Sequence, residues 1–375
     1  MARIAIVINS SWNIYNFRLS LLNRLNELGH KIIAIAPEDE YTKKIPYEFH
    51  HVPIKSRSTV SPISDVIAFL TLLGVYKKAK PDIVLLYTIK PNIYGNFAAF
   101  LLGIKTISNI AGLGTLFINQ SFITKLAKLL YKFALKVPKK IFFQNNEDME
   151  MFIKEGIVSS NIAERIPGSG VDIIRFVPNS GYQREKSKKK FVFLLFSRML
   201  WDKGVGEYIE AAKLLLHKRN DVEFKLLGFI DFETPKAISK EEIEKLTETE
   251  GIEYLGESDK VEDVILDADC IVLPSYYREG VPRSLLEAAA MAKPIITTDI
   301  PGCRDVVEDG FNGFLCKPRD YRDLFEKMEK MVELDENERK KLGNNGREKI
   351  KREFDQNIVI AKYEKVINEL CSSKK

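Results

Sequence analysis

The sequence predicts an α/β protein built from two doubly wound, Rossmann-like domains facing a cleft. Its 375 residues exceed one ordinary core, so two domains are expected. Short apolar runs alternate with amphipathic segments twice over. The first series is RIAIVIN, KIIAIAP, DIVLLYT, KTISNIA and KIFFQN; the second is FVFLLFS, EFKLLGF, CIVLPS and PIITTD. Continuous apolar runs with helix-like crossovers indicate parallel strands covered on both faces. Between the series lies GYQREKSKKK, residues 181–190, polar and without an apolar period.

These signals set the boundaries: a first domain over 1–178, a linker over 179–190, a second domain over 191–355, and a last helix over 356–375. That helix, containing NIVIAKYEKVINEL, is amphipathic and can pack back on the first domain. A hydrophobic content of 45% with 29% charged residues excludes a disordered chain. The four cysteines form no C-x-x-C pair and are too few for a disulfide scaffold, which fits a reducing cytoplasm. MARIAIVINSS reads as a buried strand, not a signal peptide. The longest apolar stretch, Val66 to Val75, is half of the roughly 20 residues that span a bilayer. The chain is therefore expected not to cross a membrane, although it can lie on one. Residues 1–185 carry 23 Lys+Arg against 14 Asp+Glu, net +9, and the remainder is net −4, which points the first half at an anionic surface or acceptor.

Ligands of open α/β sheets bind outside the carboxyl ends of the strands. With two such domains the natural site is the cleft between them. Directly after FVFLLFS comes SRMLWDKG, with Arg198 and Lys203 five positions apart. Two cations at a strand end can converge on one diphosphate, Arg as a planar fork and Lys as a point charge. A solvated helix start would hold the same residues, and the segment alone does not decide. After CIVLPS comes YYREGVPRSLLEAAAMAKP, where Glu279 and Glu287 stand eight positions apart. Gly280, Val281 and Pro282 form a loop, and a helix should begin near Arg283. The amides of Arg283, Ser284 and Leu285 would then face a phosphate at the positive helix end. Pro282 fixes the turn at a helix start that tolerates it. Glu279 can reach sugar hydroxyls, and Glu287, one turn into the helix, can accept from a ribose. Gly228, at the end of EFKLLGF, is placed with the same donor site. A surface loop and an acidic helix would be the plainer reading. It leaves unexplained why Glu, Gly, Pro, Ser and Glu all suit one site.

Two weaker motifs are set aside. GSGVDIIRFVP contains a G-x-G that does not follow a strand and open a helix, so it reads as a hinge turn. DAD, Asp267 to Asp269, reads as a strand entry, and with no His/Cys cluster no metal or other cofactor is expected.

REGVPRSLLEAAAMAKPIITTDIPGCRDVVEDGFNGFL resembles the signature of the family-4 retaining glycosyltransferases of the GT-B fold, with two glutamates separated by seven residues. SRMLWDKGV is similar to that family's phosphate-clamping segment. NIYNFRLSLLNRLNELGHKIIAIAPEDEY, IAGLGTLF and GVDIIRFVP extend the likeness, particularly to PglA-type bacterial enzymes acting on polyprenyl-diphosphate-linked glycans. The resemblance implies that Arg198 and Lys203 neutralise the donor diphosphate, that Glu279 contacts the transferred sugar and Glu287 the ribose. It implies transfer with retained configuration and without metal.

Three departures stand out. The first loop reads NSSWNIYNF where many members have glycines, so Trp12 and Tyr15 can shape an acceptor pocket. With Asn13, Asn16, Arg18, Arg57 and Gly112 they make up the candidate acceptor site, Arg18 and Arg57 being the candidates for its diphosphate. No histidine fills the role that many members give one, and His30 reads as structural, so no general base is assigned. Ala292 stands where a glycine usually precedes KP.

KLAKLLYKFALKVPKK places Lys125, Lys128, Lys132 and Lys136 on one helical stripe, with Leu126, Leu129, Leu130, Phe133 and Val137 on the rest. Such a helix suits an anionic bilayer, each lysine adding about 1 kcal/mol. A helix packed on its own domain with solvated lysines would look alike.

The expected function is transfer of a sugar, an N-acetylhexosamine, from its UDP form to a polyprenyl-diphosphate-linked saccharide in bacterial glycan assembly, at the cytoplasmic face of the membrane and with no nucleic-acid partner. The alternatives are a UDP-sugar epimerase of the same fold and a non-catalytic nucleotide-sugar-binding subunit.

Overall fold

Two separate parallel sheets organise the chain in the computed structural model, which describes residues 1–54, 62–112, 122–178, 190–230, 236–278 and 280–372, without the side chains of residues 62 and 122–127. Contacts divide it into one unit of Met1–Ser169 with Asn357–Lys375 and a second of Gly170–Gln356.

The first unit holds β1 Arg3–Val7, β2 Lys31–Ala36, β3 Glu48–His51, β4 Ile83–Tyr87, β5 Lys105–Ile110, β6 Lys140–Phe143 and β7 Ala163–Arg165. They run parallel in the order β3-β2-β1-β4-β5-β6-β7. Its helices are α1 Ser11–Phe17, α2 Leu19–Glu27, α3 Pro62–Ala79, α4 Asn96–Leu101, α5 Phe122–Ala134 and α6 Asn146–Lys154. A π-helical turn, Pro91–Gly95, leads into α4. Side chains alternate between faces along each strand, so the sheet is coated twice. Leu22 and Leu25 of α2 pack with Ile4, Ile6 and Leu85 on one face. Leu72 and Tyr76 of α3 and Ala98 and Ala99 of α4 pack with Val7, Val84 and Leu86 on the other.

The second unit holds β8 Phe191–Phe196, β9 Val222–Leu227, β10 Ile252–Tyr254, β11 Cys270–Leu273, β12 Ile295–Thr298 and β13 Gly313–Cys316, parallel in the order β10-β9-β8-β11-β12-β13. Its helices are α7 Val205–Lys218, α8 Lys240–Leu246, α9 Val261–Asp267, α10 Arg283–Ala290, α11 Cys303–Val306, α12 Tyr321–Glu333 and α13 Glu336–Glu353. Local sequence sets the starts of several. Ser239 and Glu242 form a capping box at α8, and Asp335 and Glu338 another at α13. The last helix, α14 Gln356–Ser372, belongs to the first unit: Val359, Tyr363 and Ile367 are buried in that unit's core, and Lys362 donates to the Arg165 carbonyl at 2.6 Å.

Two expectations are corrected. The first domain does not run to residue 178. Val171 and Phe176 are buried in the core of the second unit, because Val171 pairs with the end of α13: its N–H donates to Phe354 O at 2.9 Å, and its own carbonyl accepts from Gln356 N at 3.0 Å. The proposed linker, 179–190, lies outside the described residues apart from Lys190. The other correction concerns strands. β3, β7, β10 and β13 were not anticipated, and each is an edge strand of three or four residues.

Asp267 closes α9, and Asp269, just before β11, accepts from Val192 N at 2.8 Å, so DAD enters the strand as read. Beyond α10, Ala292 takes φ 53°, a left-handed conformation that costs an L-residue roughly 1–2 kcal/mol. Ala292→Gly should therefore stabilise the second unit by about 0.5–1 kcal/mol after glycine's entropic cost, read as a higher midpoint in thermal unfolding. A lower midpoint would contradict the strain assigned here.

Candidate active site

The second unit's strand order reverses between β8 and β11, since β9 and β10 lie on one side and β12 and β13 on the other. Helix crossovers leave β8 and β11 in opposite directions there, which opens a crevice at their carboxyl ends. The segments following these two strands are the ones that carry Arg198, Lys203 and the loop into α10.

After β8 the chain stays paired with the exit of β9. Ser197 N donates to Leu227 O at 3.0 Å and Met199 N to Phe229 O at 3.0 Å. Arg198 sits between them, half-buried. Gly228 makes this approach possible. Its φ is 148°, and a Cβ there would stand 1.7 Å from the Ser197 carbonyl oxygen.

Lys203 ends a short helical turn, Trp201–Lys203. That turn is bolted to the loop after β11 through Asp202, whose carbonyl accepts from Tyr276 N at 3.0 Å, Tyr277 N at 3.1 Å and Ser275 Oγ at 3.2 Å. The Asp202 carboxylate is buried and takes Lys236 at 2.5 Å. Gly204 follows at φ 78°, where a Cβ would meet Pro274 O at 2.2 Å. The result brings the Lys203 ammonium to 5.5 Å from the Tyr277 ring, beside the loop that leads to α10. Asp202, Lys236 and Tyr277 were not anticipated. The tyrosines stand in the quoted motif, but nothing in it shows that their amides anchor the lysine's turn.

Helix α10 starts as read. Pro282 is its N-cap, offers no side-chain cap, and Leu286 N makes the bond back to Pro282 O at 3.3 Å. Gly280, Val281, Pro282 and Leu285 are buried, and the Val281 and Leu285 side chains belong to the core of this unit. Ser284 is half-buried at the first turn. The Arg283 side chain is held by two partners. Its Nε donates to Glu287 Oε1 at 2.8 Å, and its Nη1 to the Gly170 carbonyl at 2.5 Å. Burial pushes the Glu287 carboxyl up from its ordinary range, and the Arg283 guanidinium opposes that shift. Glu279 lies outside the described residues. Among the described residues no group of three His, Cys, Asp or Glu side chains is placed to hold a metal ion.

The first unit repeats the geometry, with its reversal between β1 and β4. Asn13, Tyr15, Asn16 and Arg18 follow β1. Ser10 caps α1 by accepting from Asn13 N at 3.2 Å, and Asn16 Nδ2 donates to Trp12 O at 3.0 Å. Tyr15 leans on Tyr41, and the Lys44 ammonium lies over both rings. Arg18 breaks the backbone between α1 and α2 and points inward. It is 7% exposed, its guanidinium lies 4.4 Å over the Tyr87 ring at the end of β4, and its Nε is buried without a partner. Beyond Tyr87 the strand ends are polar. Asn109 donates to Tyr363 OH at 3.0 Å and accepts from Gln144 at 3.3 Å. This cluster was not anticipated, although YT, SN and QN at the ends of three apolar runs were visible. Gly112 has φ 94°. Arg57 lies outside the described residues, as does the side chain of Lys125. Lys128 and Lys132 are half-buried and Lys136 exposed along α5 and just past its end.

Comparison with known proteins agrees with both halves. A family model described as glycosyl transferases group 1 matches residues 180–349, and one described as glycosyl transferase 4-like matches residues 3–145. Over 99% of this chain and the whole of the relative, the sequence is 30% identical to the N,N'-diacetylbacillosaminyl-diphospho-undecaprenol alpha-1,3-N-acetylgalactosaminyltransferase of Campylobacter jejuni. It is 31% identical, over 72% of this chain and 70% of the relative, to the UDP-Gal:alpha-D-GlcNAc-diphosphoundecaprenol alpha-1,3-galactosyltransferase of Escherichia coli. Among solved structures, Anabaena Alr3699/HepE in complex with UDP and glucose superposes with a TM-score of 0.80 at 16% identity, covering 98% of this chain and all of that one. Two reversal points carrying the matched motifs, and a full-length relative at this identity, make the chain a member of the family-4 glycosyltransferases of the GT-B fold.

Proposed function

We propose that the chain transfers an N-acetylhexosamine from its UDP form to a polyprenyl-diphosphate-linked saccharide, with retained configuration and without a metal. The carrying observation is the pair of segments at the β8/β11 reversal: a strand exit with Arg198 and Lys203, and the start of α10. A UDP diphosphate there meets two cations and the positive end of a helix, so the charge that builds on the leaving group is stabilised as it forms. The acceptor hydroxyl attacks the anomeric carbon on the face that UDP leaves. The bond from that carbon to the diphosphate oxygen breaks, and the departing diphosphate takes the hydroxyl proton. Glu279 holds the transferred sugar, and Glu287, ordered by Arg283, receives the ribose. In the first unit, the buried guanidinium of Arg18 has no carboxylate bonded to it among the described residues and is suited to the acceptor's diphosphate. The relatives named above, whose names specify diphospho-undecaprenol acceptors, support this choice. A basic first half with α5 would hold the enzyme at the cytoplasmic membrane face.

A screen of UDP-sugars against short lipid-linked acceptors, with the product linkage read by NMR, tests this. An α-linked product from an α-linked donor, formed equally well in chelator, is expected. An inverted product would refute retention, and loss of turnover in chelator would refute metal independence. Epimerisation of the donor without acceptor would replace the whole reading. Glu279→Ala should lower turnover by about 100-fold or more, and a wild-type rate would remove Glu279 from the site.

A further inference from the structure

Helix α3 is apolar on both of its faces. Ala68, Leu72, Tyr76 and Ala79 are buried against the sheet, as such a helix requires. Its outer face nevertheless carries Ile63, Val66, Ile67 and Leu70, which are 76%, 56%, 50% and 56% exposed. These residues fall at i, i+3, i+4 and i+7, so they form one stripe. Helices α4 and α5 cover the same side of the sheet, since α4 packs with Val84 and Leu86, and Tyr131 and Leu135 pack with Ile141 and Phe143 two strands further on. Their outer faces continue the pattern. Phe100 and Leu101 end α4 at 68% and 61% exposure, and Leu129 and Phe133 on α5 are 50% and 51% exposed. Of the thirteen large apolar side chains exposed among the described residues, eight lie on this one helical layer. Exposed apolar area gathered in this way marks an interaction surface.

The charge around it selects the partner. Residues 66–146 contain eleven lysines, no arginine, and a single acidic residue, Asp82. Asp82 accepts from Arg3 N at 2.8 Å, and the one acidic residue of α3, Asp65, is buried against Lys90 at 2.8 Å. Lys77, Lys78 and Lys80 are exposed at the carboxyl end of α3, and Lys136 beyond α5 lies 5.2 Å over the Phe133 ring. Protein interfaces are enriched in arginine and depleted in lysine. A surface of aliphatic stripe and lysine rim is instead that of a helix lying in the plane of an anionic bilayer. No described helix is long and apolar enough to cross one.

We propose that α3, with α4 beside it and α5 beyond, is the surface by which the first unit lies on an anionic bilayer, its stripe among the acyl chains and its lysines among the headgroups. Such a seat serves the lipid-linked acceptor proposed above and rests on that reading for its purpose. The α3 helix then carries the longest stripe of the surface, and α5 is its far margin.

The test is cosedimentation of the full chain, without substrates, with vesicles of phosphatidylcholine alone or with roughly one-third phosphatidylglycerol. The wild type should bind the anionic vesicles, and the combined variant Ile63→Ser, Val66→Ser, Ile67→Ser, Leu70→Ser should bind at least about tenfold more weakly. All four side chains are exposed, so circular dichroism and the thermal midpoint should not move. Unchanged partitioning would overturn the proposal. Should the combined variant misfold, Ile67→Trp decides alone: vesicles should shift its added emission to the blue and brominated lipid should quench it. An unmoved emission on vesicle-bound protein places α3 in water and ends the idea. A wild-type dimer that the serine variant dissociates, with neither protein binding vesicles, would make this a contact between copies instead. Transfer to a soluble short-chain acceptor, measured without vesicles, reports on the sugar chemistry independently: its absence beside intact vesicle binding would count against the proposed reaction, not against the surface.

Discussion

Replacing Lys203 with alanine will lower kcat by about 100- to 1,000-fold and leave the fold in place. The size follows from the task. Removing one preorganised group that meets charge developing in a transition state costs roughly 3–4 kcal/mol, and each 1.36 kcal/mol is about tenfold in rate. The fold survives because Lys203 is half-buried at the end of a turn whose anchoring is done by the carbonyl and carboxylate of its neighbour Asp202. Steady-state kinetics at saturating donor, paired with thermal unfolding, separates the two effects: turnover should collapse while the midpoint stays within a degree or two of the parent. A variant that turned over at the parental rate would remove the lysine from the chemistry.

Gly204→Ala, one position on, should fail in a different way. The new methyl would stand 2.2 Å from the Pro274 carbonyl oxygen on a backbone already at φ 78°. Left-handed strain of roughly 1 kcal/mol and overpacking of about 1–3 kcal/mol add to a loss of about 2–4 kcal/mol. For a unit of this size that is a fall of roughly 5–15 °C in its melting temperature. Turnover should fall as well, because relief of the clash pushes the Lys203 turn away from the loop that leads to α10. The pair is diagnostic: the lysine variant loses rate without stability, and the glycine variant loses both. An alanine at 204 that melted with the parent would show that the two segments do not approach as described.

Much of this was legible in the sequence, and the parts that were not share a physical cause. The central strands announced themselves because a strand covered on both faces must be apolar throughout, as in FVFLLF and IVLLY. β3, with EFHH, and β7, with AER, sit at sheet edges with one flank open, so no apolar run was required of them. Arg198, Lys203 and the start of α10 were readable because each follows directly on such a run. The partners that hold them were not: Lys236 reaches Asp202 from 34 positions away, and Gly170 meets Arg283 across 113. Pairings of that separation leave no local pattern. The stretch Val66–Val75 was read only for what it is too short to do. Which of its apolar residues face the sheet and which face outward is a property of α3's packing, and composition does not show it.

The position of α14 bears on the order in which the protein is made. The first unit's core includes Val359, Tyr363 and Ile367, so translation of nearly the whole chain must precede its completion. The second unit is contiguous from Gly170 to Gln356 and needs nothing that comes later. The usual sequence, in which the leading domain matures first as its residues emerge, therefore cannot finish the first unit, whose core closes only on a helix made last.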